Sequence, residues 1–171
     1  MRYLMFLLVA VSGAVVFAAT TFLATPPAAE AAGGGGVKKC GGGGISLNAD
    51  EKQTFVLHNR ERRDRNMKPL CVHPDLQRAA RAHSEDMIQR DYFSHGTKGR
   101  KESACERIKR YGYPYRLCGE NIAYGSGSNG EPGSIMRSWM SSDGHLRNIL
   151  NGKYREIGIG TYVGTPTRAE L

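Results

Sequence analysis

Pro74 and the apolar stripe behind it define one long helix, and the rest of the chain has to pack around it. Proline suits a first helical position, where its missing N–H would have no partner anyway. Leu76, Ala79, Ala80, His83 and Met87 then recur at helical spacing and predict a single buried face. Asp91-Tyr92-Phe93-Ser94 ends this helix and leads to His95. Four further helices carry local signals. Asn48 with Glu51 predicts a capping box and a helix reaching to about Asn66, with Pro69 beyond its end. Phe55, Val56 and Leu57 are its modest apolar content, and Arg60 to Arg65 read as a charged solvent face. Ser103 with Glu106 predicts a second capping box, Gly112 a left-handed stop, and Ile108 and Tyr111 the inward positions. A helix from Pro132 carries Ile135, Met136, Trp139 and Met140. Ser142 can cap a last short helix, with Asp143 in its first turn, placing His145, Asn148 and Ile149 on one face. Residues 119–124 suit a strand or extended turn. Residues 156–163 alternate as a strand whose glycines permit close approach of neighbouring backbone.

The 171 residues suffice for one domain with its own core. Arg2, the uncharged stretch Tyr3 to Leu23 and the small-x-small site Ala29-Glu30-Ala31 read as an export signal over 1–31, cut before Ala32. The same stretch is long enough to span a bilayer, which takes roughly 20 residues, so an uncleaved anchor is the alternative. Both place the domain outside the cytoplasm, secreted or held at the cell surface, where disulfides persist. Residues 32–47 form a glycine-rich linker, whose 33–44 portion reads as a tether with no means of packing. The domain proper covers 48–163, and 164–171 is a loose polar tail.

Cys40, Cys71, Cys105 and Cys118 are the chain's cysteines. Four cysteines permit three connectivities, and sequence does not choose among them. The preferred pairing joins Cys105 to Cys118 across one short helix and its return; Cys40 with Cys71 then ties the linker to the domain. No C-x-x-C spacing occurs, which argues against a cysteine zinc site or a thioredoxin-like role. The net charge is +8. Arg2 and Glu30 cancel within the first 31 residues, so a mature chain keeps that charge. Such a surface favours anionic partners: a wall polymer or lipid headgroups, with another protein also open. No nucleic-acid fingerprint accompanies the bases.

Three segments carry the histidines and the glutamate of a possible site: Phe93-Ser94-His95, Gly119-Glu120-Asn121-Ile122-Ala123, and Trp139 followed by His145, Asn148, Ile149 and Leu150. Together they resemble the CAP superfamily, the SCP domain of cysteine-rich secretory proteins, antigen 5 and plant pathogenesis-related class 1 proteins, and among these its bacterial secreted branch. The resemblance covers roughly residues 49–163. It implies an α+β fold, an α-β-α sandwich with a small antiparallel sheet between helical layers. It also implies a central cleft lined by two histidines and acidic residues, which holds zinc in some members. His95 matches the first cleft histidine, Glu120 the glutamate of the Gly-Glu-Asn motif and His145 the second histidine. Many eukaryotic members carry a further glutamate two residues after the tryptophan, where this chain has Ser141. Members also follow the Ile-Gly-Ile-Gly strand with another strand, which has no evident counterpart after 156–163 here. That leaves 156–163 as an exposed edge, a liability for self-association.

Zinc accepts histidine nitrogen and carboxylate oxygen, and a catalytic site takes three protein ligands plus an open position, so His95, Glu120 and His145 are the candidate metal set. If Glu120 is a ligand, no obvious general base remains; Glu120 is itself the one candidate catalytic carboxylate. The bland readings make Glu120 a structural carboxylate accepting backbone N–H bonds, and His95 and His145 metal-free cleft residues. His83 belongs to a helix core or boundary, and His58 and His73 to the surface. Asn121 and Asn148 hold loops, and Trp139 belongs to the core. Ser94 beside His95 makes a poor nucleophile pair, for adjacent side chains rarely face each other and no third orienting group is evident. The expectation is therefore a non-enzymatic extracellular binding module. A zinc-dependent hydrolase acting on peptide or cell-wall substrate through the same cleft is the rival, and lipid or sterol capture a weaker one.

Overall fold

The computed structural model describes residues 2–10 and 37–164. The expected signal cleavage site and the tail from 165 onward lie outside the described residues. Strand β1 runs Arg2–Ala10, and a small hairpin follows from β2 (Val37–Lys38) and β3 (Gly44–Ile45). Then come α1 (Ala49–Arg63), β4 (Cys71–Val72), α2 (Pro74–Gln89), α3 (Ala104–Arg110) and β5 (Leu117–Gly125). A short 3-10 turn at Gly127–Gly130 precedes α4 (Pro132–Met140), α5 (Asp143–Ile149) and β6 (Glu156–Val163).

The helix starts form where local chemistry places them. Asn48 and Ser103 both make complete capping boxes, with Glu51 and Glu106 as the returning carboxylates. Glu51 has a second task. It is fully buried and takes a two-pronged ion pair from Arg81 of α2, at 2.7 and 2.6 Å, so the cap also joins two helices. Every residue of the stripe on α2 is buried. On α3, Ile108 is buried as expected, but Tyr111 is only partly covered and Tyr113 takes the inward place.

The sheet has the order β4-β6-β1-β5, with β1 antiparallel to both neighbours and β4 parallel to β6. Helices α1, α4 and α5 build one core on it, around Phe55, Met136, Trp139, Ile157 and Ile159. Helices α2 and α3 build the other, around Leu76, Ala80, Met87, Ile108 and Ile122. The result is the sandwich the sequence predicts. Gly158 and Gly160 are what let α2 lie on β6. A Cβ on Gly158 would meet the Leu76 carbonyl carbon at 2.1 Å, and one on Gly160 would meet that of Ala80 at 2.3 Å. Both obstacles are backbone, which cannot swing aside.

The structure departs from the sequence expectations at four places. First, β6 is not an exposed edge. On one side it pairs with β1 along its length, in the place where the missing strand was expected. On the other, β4 covers only its start, after which the Gln77 side-chain amide bonds both the N–H (2.9 Å) and the carbonyl of Ile159. A helix side chain thus replaces a strand neighbour and satisfies backbone groups that would otherwise be buried unpaired. Second, Arg2–Ala10, assigned from sequence to an export signal, forms a central strand. Third, the linker packs from Val37 onward. Val37 is buried, Cys40 N–H donates to the Val72 carbonyl at 2.9 Å, and Gly41 to Gly43 adopt the positive φ that lets the hairpin turn. Fourth, the run Arg60 to Arg65 is not wholly a solvent face, because Arg62 is fully buried.

Both disulfides have the preferred connectivity, Cys40–Cys71 and Cys105–Cys118. The first pins the hairpin to β4; the second pins α3 to β5.

Two measurements check this architecture. Gly160→Ala should lower stability by roughly 1–3 kcal/mol, the usual cost of forcing atoms into a packed interior; denaturant unfolding would read it. A chain beginning at Ala32 lacks β1 and leaves β5 and β6 unpaired in mid-sheet, so it should melt lower than the full chain and self-associate, as light scattering would report.

Candidate functional site

Gly119-Glu120-Asn121 on β5 is the hub on which the two cleft histidines are set. A Cβ on Gly119 would lie 2.4 Å from the Tyr154 hydroxyl oxygen and 2.8 Å from Asn148 Oδ1, so only glycine lets these side chains reach the strand. Asn148 Nδ2 donates to the Glu120 carbonyl at 3.1 Å and to Asn121 Oδ1 at 2.8 Å, and Asn121 Nδ2 donates to the His145 carbonyl at 3.1 Å. These bonds clamp α5 to β5 and set the position of His145. Both asparagines therefore hold backbone, as the sequence suggests. Trp139 is buried in the core, where its indole N–H donates to the Ile122 carbonyl at 3.3 Å.

Glu120 is buried and both of its oxygens are engaged. Oε1 lies 2.7 Å from His95 Nδ1, and Oε2 accepts from Arg107 Nη2. Arg107 is itself buried, and its Nη1 donates to the His95 carbonyl at 3.1 Å and to Thr97 Oγ1 at 3.3 Å. The partners of Glu120 are thus a guanidinium and an imidazole rather than the backbone N–H groups expected of a structural carboxylate. A buried carboxylate is tolerated only when paired in this way. Its bond to Nδ1 fixes the tautomer of His95 and leaves Nε2 toward the cleft, with no partner among the described residues. The His95 side chain is 59% exposed, so that nitrogen is open to solvent or ligand.

His145 completes the pair. Its Nδ1 lies 3.0 Å from Ser142 Oγ, so Ser142 serves the histidine and makes no side-chain cap on α5. Burial, and then the charge of His95, lowers the pKa of His145. The hydroxyl of Ser141 donates to the Arg137 carbonyl of its own helix at 3.0 Å and offers the cleft nothing. Ser94 Oγ accepts from Gly96 N–H at 3.0 Å, a local turn that takes up the hydroxyl.

His95, Glu120 and His145 are the candidate zinc set. Among the described residues, His95, Glu120 and His145 do not bring three ligand atoms within 4.8 Å of one another. Arg107 and His95 each take one oxygen of Glu120, so a metal there would have to share those oxygens with its present partners. The geometry of Glu120 is that of a carboxylate orienting a histidine. Two open imidazole nitrogens are left, one fewer than the three protein ligands of a catalytic zinc site. Cys40, Cys71 and Glu156 do cluster within that distance, but both sulfurs are in a disulfide.

Several site residues were not legible in the sequence. His58, expected at the surface, is fully buried beneath Trp139, with ring centroids 6.1 Å apart. His73, also expected outside, is half-buried; its Nδ1 caps α2 and its ring stands edge-on to Tyr113. His83 is buried as expected, with Nε2 2.9 Å from the Ser94 carbonyl, where only a protonated Nε2 can donate. Phe93 and Tyr124, exposed by 40% and 43%, stack edge-to-face at 4.9 Å. Phe93 stands two residues from His95, and Tyr124 lies on the same strand as Glu120.

With fold and site in place, the kinship is decided by the match of residues 55–169 to the model of the cysteine-rich secretory protein family, CAP. This chain belongs to that family. It is 39% identical over 117 residues to the uncharacterized protein YkwD of Bacillus subtilis, covering 67% of this chain and 43% of YkwD. It is 33% identical over 112 residues to the uncharacterized membrane protein YlbC of the same organism, covering 66% of this chain and 31% of YlbC. The CAP domain thus spans less than half the length of these relatives. Among solved structures, an extracellular SCP-domain protein from Bacillus anthracis aligns with a TM-score of 0.62 at 30% identity, over 67% of this chain and 37% of that one. An outer surface protein of Borrelia burgdorferi aligns with a TM-score of 0.59 at 21% identity, over 67% of this chain and 81% of that one, and shares the fold.

Burial of uncharged histidines gives the CAP domain a pH dependence. Burial is the main cause that lowers the pKa of His58 to about 3, with Arg62 adding to it, and of His83 to about 4, with Arg107 adding to it. Unfolded histidine titrates near 6.5. Below that value the unfolded chain takes up protons that the native state refuses. Stability is therefore full above about pH 6.5 and falls as pH drops toward 4 and then 3, by about 1.4 kcal/mol per pH unit for each histidine. Unfolding midpoints measured at about pH 7, 5.5 and 4.5 should fall in that order; equal midpoints would contradict neutral burial.

Proposed function

We propose that this CAP domain is an extracellular, non-enzymatic binding module whose cleft mouth meets an anionic partner, a wall polymer in the first instance. The observation that carries this reading is the engagement of Glu120. Arg107 and His95 take both carboxylate oxygens, and the position of a second cleft carboxylate is Ser141, turned onto its own helix. A carboxylate held on both oxygens is a weaker general base and a weaker metal ligand than a free one, which supports the binding reading. What the cleft offers is recognition. His95 presents an open ring nitrogen, and the exposed Phe93–Tyr124 pair supplies an apolar face beside it. The net charge of +8 draws anions to this surface. The extracellular SCP-domain protein of Bacillus anthracis supports an extracellular setting.

The test combines binding with chemistry. Zinc content and affinity are measured for the wild type and for His95→Ala with His145→Ala, alongside a peptidase and peptidoglycan-hydrolase panel. Co-sedimentation with purified wall material is run with and without added salt. The expected result is weak zinc binding that the double substitution abolishes, no turnover, and sedimentation that salt weakens. Phe93→Ala with Tyr124→Ala should reduce sedimentation several-fold, because both rings are exposed and contribute little to the core. Turnover that the histidine substitutions abolish would establish the zinc-hydrolase reading instead.

A further inference from the structure

A polar cavity of about 220 Å³ lies between the C-terminal half of α2, the loop that follows His95, and α3. Arg90, Arg100, Arg107 and Arg110 line it, together with His83 and Asp86. Four guanidinium groups around one cavity call for an accounting of their partners. Arg90 Nη1 pairs with Asp86 at 3.2 Å and its Nη2 donates to the Lys98 carbonyl at 2.7 Å. Arg110 pairs through Nε and Nη2 with Glu102, at 2.6 and 3.1 Å. Arg107 spends both Nη groups on Glu120, Thr97 and the His95 carbonyl. Three carboxylates thus stand against four arginines, and Arg100 forms no ion pair among the described residues.

One donor is left over in the interior. Arg107 is buried, and its Nε–H has no hydrogen-bond partner among the described residues. A buried, unsatisfied donor is destabilising, more so when it belongs to a charged group. The structure closes that N–H to water, so an acceptor from the cavity would satisfy it after a small movement of the side chain. His83 adds no charge there at neutral pH, because burial holds its pKa near 4. Asp86 is the one lining group that opposes an anion, and Arg90 already faces it.

The geometry points to a phosphate-binding site in this cavity, in which Arg107 Nε and the Arg100 fork donate to the oxygens of one phosphate group. Guanidinium is the side chain whose planar N–H donors match such oxygens, and arginines converging from two helices and a loop suit a tetrahedral anion better than a flat carboxylate. A phosphate carried by a polymer and one free in solution offer the same oxygens, so the experiment has an arm for each. The site does not depend on the function proposed for the histidine cleft, since none of its donors is a cleft histidine.

The full chain is titrated with inorganic phosphate and, separately, with a short oligo(glycerol phosphate), each against sodium chloride at matched ionic strength. Nitrogen-15 NMR follows the arginine Nε–H signals, and a thermal melt follows stability. Saturable shifts of the Arg107 Nε–H signal are expected, with Arg62 as the silent control, together with a concentration-dependent rise in Tm. Arg100 is exposed, so Arg100→Gln should fold normally and weaken binding by about tenfold, the worth of one charge-assisted contact. Asp86→Asn should tighten it. Saturation by both ligands assigns the site to polymer-borne phosphate, and saturation by the inorganic ion alone assigns it to free phosphate. No saturable shift with either, or an Arg100→Gln protein that binds like wild type, overturns the proposal. If phosphate binds while wall sedimentation fails, the cleft reading falls and this site stands.

Discussion

Arg62 ties three separate segments of the chain together through one buried side chain. It projects from α1 into the interior and is fully buried, with no carboxylate partner among the described residues. Its charge is instead distributed over backbone carbonyls: Nε donates to Lys68 at 2.9 Å, Nη1 to Ile149 and Asn151 at 2.9 and 3.0 Å, and Nη2 to Tyr154 at 3.2 Å. Ile149 is the last residue of α5, so one of these acceptors is a helix-end carbonyl that has no partner within its own helix, at the negative end of the dipole. One side chain thereby fixes the segment before β4, the end of α5 and the entry to β6. Burial, with Arg155 nearby, lowers its pKa to about 10, which still leaves it charged at neutral pH. Because α5 carries His145, the placement of a cleft histidine depends on a cation in α1.

Arg107 repeats the device on the other side of the sheet, with a different consequence. There the buried cation meets a carboxylate, and the pair has to be read as one unit. Removing either partner would strand a buried charge, which typically costs several kcal/mol. Glu120 is therefore committed to the fold before any ligand arrives. The ion pair and the histidine bond each occupy one of its oxygens and hold the carboxylate in place. The same guanidinium also reaches around to the His95 carbonyl, so the motif that resembles an active-site glutamate is mechanically a bracket for the His95 loop.

What the sequence revealed and what it hid divide along a physical line. Capping boxes at Asn48 and Ser103, the proline start at Pro74 and the α2 stripe depend on contacts within a few residues, and they were legible. So were the close approach at Gly158 and Gly160 and the two disulfides, as a pattern and a preference. Arg62 and Arg107 were hidden because each sits among other bases, and a charge run normally marks solvent. Only partners far along the chain, such as Tyr154 for Arg62 and Glu120 for Arg107, reverse that reading. His58 was hidden for the same reason. The hairpin at Val37 to Ile45 was masked by its glycines, whose composition is that of a tether although their positive φ values here make a turn. In the cleft, the motif located His95, Glu120 and His145, but it could not say that the glutamate would serve the histidine and not stand beside it.

The sheet raises the last constraint. The two long strands that follow the helices in the chain, β5 and β6, do not touch; β1 lies between them and pairs with both. A gap of one strand in mid-sheet leaves two rows of backbone groups without partners, far more costly than an open edge because both rows face the protein's own interior. The edge beyond β4 shows how such a deficit is met cheaply, with one glutamine amide reaching a single residue of β6. No side chain can do this over the whole length of a long strand. The β5–β6 gap therefore needs a real strand, and in this chain Arg2–Ala10 fills it. The residues that read as an export signal in the sequence and the residues that close the sheet are the same residues. Whatever leaves that segment in the membrane, or removes it, has to be matched by another strand in the same gap.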